Sequence, residues 1–99
     1  MLESKDIHDI DRLITLLKSV IIYLKQLGYE ETFCPDLKKS INILENKSMN
    51  GMCNLHDYIM GEFRMMADRG QYGEEYIDSL TNEISMIVSK NSLFNKFNG

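Results

Sequence analysis

Hydrophobic positions recur at helical spacing through most of this chain, and the longest such pattern runs from about Asp6 to Leu27 without a Gly or Pro. At about 100° per residue, Ile7, Ile10, Leu13, Ile14, Leu17, Val20, Ile21, Leu24 and Leu27 fall on one stripe, which Leu16 and Tyr23 widen. The stripe covers roughly 200° of the circumference, more than an ordinary surface helix carries, so this helix must touch more than one neighbour. Ile22 stands alone on the polar face. Ser4 or Asp6 is positioned to cap the first turn, and Gly28 suits the left-handed position that ends a helix.

A second pattern, Phe33, Leu37, Ile41 and Leu44, predicts a helix that ends near Asn46. Pro35 is tolerated in a first turn but not deep in a helix, so the expectation is a start near residues 32–35 or an early kink. The stretch Asn46 to Cys53 reads as a loop around the turn dipeptide Asn50-Gly51. A third helix follows from Asn54 as N-cap to about Asp68, with Leu55, Tyr58, Ile59, Phe63 and Met66 on one face. Glu62 falls in the middle of that face. Because an unpaired buried carboxylate is costly, the helix is expected to run shallow there and let Glu62 reach water or Arg69. Gly61 beside it is a candidate for close approach of another helix. After a loop at residues 69–73, Tyr76, Ile77, Leu80, Ile84, Ile87 and Val88 predict a fourth helix from about Glu74, with Phe94 still in phase. The tail, about residues 95–99, is expected to fray. No run alternates as a strand would. The expectation is a single all-α domain over residues 1–99, a compact bundle of four amphipathic helices.

Composition narrows the function classes. The formal net charge is −4, which argues against direct nucleic-acid binding. No segment approaches the roughly 18 apolar residues of a membrane span, and the charged start favours a cytoplasmic protein. Cys34 and Cys53 lack any metal-site or redox spacing and read as two thiols. The Gly residues build no phosphate loop. His8 and His56 lack converging ligands, and His56-Asp57 are sequence neighbours, which point about 100° apart on a helix. The chain therefore reads as a non-enzyme with no cofactor and no metal. Met60, Met65 and Met86 lie off their stripes, where they could form an adaptable binding surface.

Charge position adds more. Between Asp68 and Glu83 stand five acids, Asp68, Glu74, Glu75, Asp78 and Glu83, against Arg69 alone. Glu30 and Glu31 add a second acidic corner. The partner-binding candidates are Glu30, Glu31, Asp68, Glu74, Glu75 and Asp78, with Tyr72 or Tyr76 as an aromatic anchor of the kind enriched at interface hot spots.

The stretch Gly51-Met52-Cys53-Asn54-Leu55-His56-Asp57 resembles the Gly-Met-Gly-Ser-Phe-Asn-Asp passage of a group of small uncharacterised bacterial helical proteins. Gly51, Met52 and Asp57 match; Cys53, Asn54, Leu55 and His56 depart. The order of elements is also similar. The resemblance implies an all-helical fold and a role like that of toxin-immunity proteins, which bind a toxin domain, often a nuclease, and block it. Two alternatives stay open: a phage or mobile-element inhibitor of a host defence complex, and a small ligand-binding bundle that uses Glu62, His56 and Asp57. The wide stripe of the first helix would also allow a homodimer.

Overall fold

The computed structural model describes residues 2–29, 34–71 and 73–95. The first stripe forms α1, Ser4–Gln26. Its N-cap is Glu3, so Ser4 is already helical, and Asp6 closes a capping box by accepting from the Glu3 N–H at 3.2 Å. At the other end Tyr29 N–H reaches Leu24 O at 3.0 Å and Gly28 N–H reaches Lys25 O at 3.0 Å. This is the pairing of a Schellman stop, and it turns on Gly28 at φ +95°.

Helix α2, Pro35–Asn46, begins at the proline as its first-turn geometry requires; Phe33 lies outside the described residues. Its stop is unusual. Lys47 takes the left-handed position at φ 50°, and Ser48 N–H closes back on Ile43 O at 3.1 Å. The segment expected as a loop contains a one-turn helix, α3, Met49–Met52. Asn50-Gly51 is therefore part of a helical turn and not a hairpin-type turn. Gly51 lies against Ile43, where a Cβ would stand 3.0 Å from the Ile43 Cδ1, so the glycine lets α3 fold back onto α2. Met52 is fully buried at this contact end.

Helix α4 is Leu55–Asp68, with Asn54 at the N-cap although its side chain makes no capping bond. Its stop repeats that of α1: Gln71 N–H to Met66 O at 2.9 Å and Gly70 N–H to Ala67 O at 3.0 Å. Helix α5 is Glu75–Lys90, with Glu74 as N-cap. It ends before Phe94, because the Asn91 side chain accepts from Leu93 N–H at 3.0 Å and diverts the backbone. A 3-10 turn, Ser92–Phe94, then delivers Phe94 into the core. Asn95 does not fray: it is buried and donates to Val88 O at 2.9 Å.

The long helices form a four-membered ring. α1 packs on α2 and α5, and α4 packs on α2 and α5, so α1 and α4 stand across the core from each other. Neighbours run antiparallel, as Tyr23 with Tyr76 and Arg12 with Glu83 show for the α1–α5 seam. The bundle measures 40 × 21 × 20 Å. Leu17 and Val20 of α1, Leu37 and Leu44 of α2, Ile59 and Met66 of α4, and Ile77 and Ile84 of α5 meet at its centre, all inaccessible to water. Removing one such side chain to Ala costs about 2–5 kcal/mol. The breadth of the α1 stripe is thereby used inside the ring, while Ile7, Ile22 and Leu27 remain exposed. Among the described residues, no helix is long and apolar enough to cross a membrane.

Candidate functional site

Antiparallel packing puts the C-termini of α1 and α4 and the N-termini of α2 and α5 at one end of the ring. Asp68, Glu74, Glu75 and Asp78 all belong to that end. Asp68, Glu74 and Glu75 are exposed; Asp78 is half-buried and accepts from Gly73 N–H at 3.4 Å. Glu74 and Glu75 open α5, where negative charge also suits the helix dipole. Glu30, Glu31 and Tyr72 lie outside the described residues.

The exposed aromatic at this end among the described residues is Tyr76. Helical phase places it with the core stripe of α5, yet it is 54% exposed. It sits at the α1 border of the helix, where its ring meets Tyr23 at a centroid distance of 5.7 Å and a tilt of 47°. Burial, then the charges of Glu74 and Asp78, hold the Tyr23 phenol above its ordinary range. Both carboxylates thus act on the tyrosine pair through their charge. Tyr23 was legible only as a core-widening residue, and its share in this patch emerges from the α1–α5 packing.

Glu62 overturns an expectation. It neither reaches water nor sits on a shallow helix: it is 1% exposed, and its Oε2 has no hydrogen-bond partner among the described residues. Burial first, then repulsion from Asp36, pushes its carboxyl above the ordinary range, while Arg69 pulls the other way. Gly61 next to it makes no close helix contact, since a Cβ there would meet nothing within 4 Å among the described residues. His56 Nδ1 does approach its sequence neighbour, at 3.6 Å from Asp57 Oδ1. Asp57 is exposed at the first turn of α4 and Glu62 faces the core, so the three side chains do not share a face.

Among the described residues the exposed methionines are Met49, Met65 and Met86, on three different helices, while Met60 is half-buried with Ser85 Oγ 3.5 Å from its sulfur. They do not build one patch. Cys34 is buried and Cys53 exposed, without a disulfide. Among the described residues no three His, Cys, Asp or Glu side chains gather as a metal site would need.

The opposite end is held by polar ties. The Asn91 Nδ2 donates to Asp6 Oδ1 at 3.0 Å and to Asp9 Oδ2 at 2.9 Å. Arg12 and Glu83 form a two-bond pair, at 2.6 and 2.9 Å, midway along the same seam. Asp6 and Asp9 are thus engaged within the fold, whereas Glu74, Glu75 and Asp68 make no such tie among the described residues. Compared with known protein families, curated sequences and solved structures, the chain matches none.

Proposed function

We propose that this chain is an immunity-type inhibitor that binds a bacterial toxin domain in the cytoplasm through its acidic end. The observation that carries the reading is that Asp68, Glu74, Glu75 and Asp78 belong to one end of the bundle, the end that also carries the exposed Tyr76 and its partner Tyr23. A nuclease cleft is basic because it holds phosphates. Carboxylates at the end of a helical bundle can occupy the same cations, and opposite charge also speeds encounter. The tyrosine pair supplies the apolar contact that carboxylates lack, and Tyr is a frequent energetic anchor at interfaces. The mechanism is occlusion: the toxin's cleft is filled and its substrate kept out.

The test is co-purification with the product of the adjacent gene, followed by that product's activity assay with and without this chain. One-to-one binding with loss of activity is expected. The triple exchange Glu74→Lys, Glu75→Lys and Asp78→Lys should weaken binding by roughly 100-fold at physiological salt. Unchanged affinity would remove the acidic end from the interface, and no binding at all would remove the inhibitor reading.

A further inference from the structure

Glu62 lies on the flank of α4 that meets α2. The charged groups that bear on it are few. Asp36, in the first turn of α2, repels its negative charge, and Arg69, at the C-cap of α4, attracts it more weakly. The N-terminus of α2 would favour an anion, but Asp36 already stands there. α5 meets the other flank of α4 through Met60 and Ser85, and α1 lies across the core; among the described residues neither brings a charge that acts on Glu62.

A second polar side chain is stranded nearby in the chain. Gln71 is 3% exposed, and neither its Nε2 nor its Oε1 has a hydrogen-bond partner among the described residues. Its backbone N–H closes α4 on Met66 O at 2.9 Å, so the amide is held inside by the same turn that ends the helix. Buried polar groups in folded proteins are almost always paired. Glu62 and Gln71 together mark the second half of α4 and its stop as a poorly satisfied part of the core.

A neutral carboxylic acid can remain in such a place; a carboxylate without a partner cannot stay desolvated. We propose that the α2–α4 seam is a proton-gated latch: neutral Glu62 keeps it closed, and loss of the proton to water opens the C-terminal half of α4. In the open form the carboxylate is hydrated, and the Gln71 amide gains hydrogen bonds that no described residue supplies when closed. The closed form binds the proton more tightly than the open form, so its population is highest at low pH. It declines as pH rises above the ordinary carboxylate value and levels off once Glu62 is ionised in both forms. The latch does not depend on the inhibitor reading, although opening would displace Asp68.

The experiment is amide hydrogen exchange on the full chain at about pH 5 and about pH 8, corrected for intrinsic exchange chemistry. Opening constants for amides between Phe63 and Gly70 should rise about tenfold or more with pH, while those between Leu13 and Val20 in α1 stay level. Glu62→Gln keeps the shape of the neutral acid and cannot ionise, so it should abolish the rise. Asp36→Asn removes the repulsion without touching Glu62 and should shrink the rise; it decides the matter even should the Glu62 variant fold poorly. Equal opening constants at both pH values would overturn the latch. So would a rise that persists in Glu62→Gln, since a group other than Glu62 would then be its source.

Discussion

Asn91 is the residue whose loss should be felt most widely for its size. It is 7% exposed, and its side chain joins α1 to the end of α5. Nδ2 donates to Asp6 Oδ1 at 3.0 Å and Asp9 Oδ2 at 2.9 Å, and Oδ1 accepts from Leu93 N–H at 3.0 Å. A hydrogen bond to a neutral group is worth about 1 kcal/mol net and one to a charge about 1.5–3. Asp6 and Asp9 are half-buried, so water recovers part of what Asn91→Ala removes. Screening by that water brings each carboxylate bond down to about 1 kcal/mol, and with the Leu93 bond a loss of about 2–3 kcal/mol follows. For a chain of this length that lowers the melting temperature by roughly 10–20 °C. Acid sharpens the test. The Asn91 amide, and after it the Glu3 N–H, hold the Asp6 carboxyl below its usual 3.8. A carboxyl depressed in the folded state contributes stability that is present above the unfolded value and lost as pH falls through the folded one. Urea denaturation at about pH 7 and about pH 3 should therefore show the gap between wild type and Asn91→Ala narrowing on acidification. Asn91→Asp should be worse than Ala at neutral pH, because a third carboxylate would face Asp6 and Asp9. A neutral-pH loss under about 0.5 kcal/mol, or a gap that does not narrow in acid, would refute the assignment of this tie.

Gly61 is exposed in mid-helix, and a methyl group added there would meet nothing within 4 Å among the described residues; Gly61→Ala should stabilise by about 0.5–1 kcal/mol, and a lower urea midpoint would reveal a contact that the geometry lacks. Lys47 holds a left-handed backbone at φ 50°, so Lys47→Gly should raise stability by about 0.5–1 kcal/mol; no change would mean that the turn strain is absorbed elsewhere. The Arg12–Glu83 pair is short at 2.6 Å but 46% and 43% exposed. Glu83→Gln should shift the urea midpoint only slightly, and the shift should vanish in about 1 M salt; a large, salt-resistant loss would contradict a surface role.

The helices were legible because burial in this fold follows helical phase. Ile10, Leu13, Leu17, Val20 and Leu24 lie on the α1 stripe and all are buried. Gly28 stopped the helix where its freedom at positive φ was needed. What the pattern could not carry was competition from side chains. Asn50-Gly51 reads as a turn because Asn and Gly tolerate left-handed backbone, yet here the dipeptide packs as a helical turn against Ile43. Phe94 stays in phase with α5, but the Asn91 side-chain carbonyl takes the Leu93 N–H and the chain reaches the core by a 3-10 turn instead. Lys47 gave no sign of its conformation, since nothing in a lysine favours positive φ.

For the acidic end, sequence position was enough to gather Asp68, Glu74, Glu75 and Asp78, because the α4–α5 connection is short and brings both helix ends together. It was not enough to find Tyr23, which joins them from α1, across the seam to α5. Glu62 was found by phase and then misjudged by cost. The wheel put it in the core face, and the expense of burying a charge argued that the helix must lift it out. The structure keeps Glu62 inside nonetheless, and burial, then Asp36, push its carboxyl above the ordinary range. The rule that charged residues avoid the core holds for the charged form. If Glu62 sheds its charge as proposed, the packing around it depends on pH, and the hydrogen-exchange comparison of the wild type with Glu62→Gln reads that dependence directly.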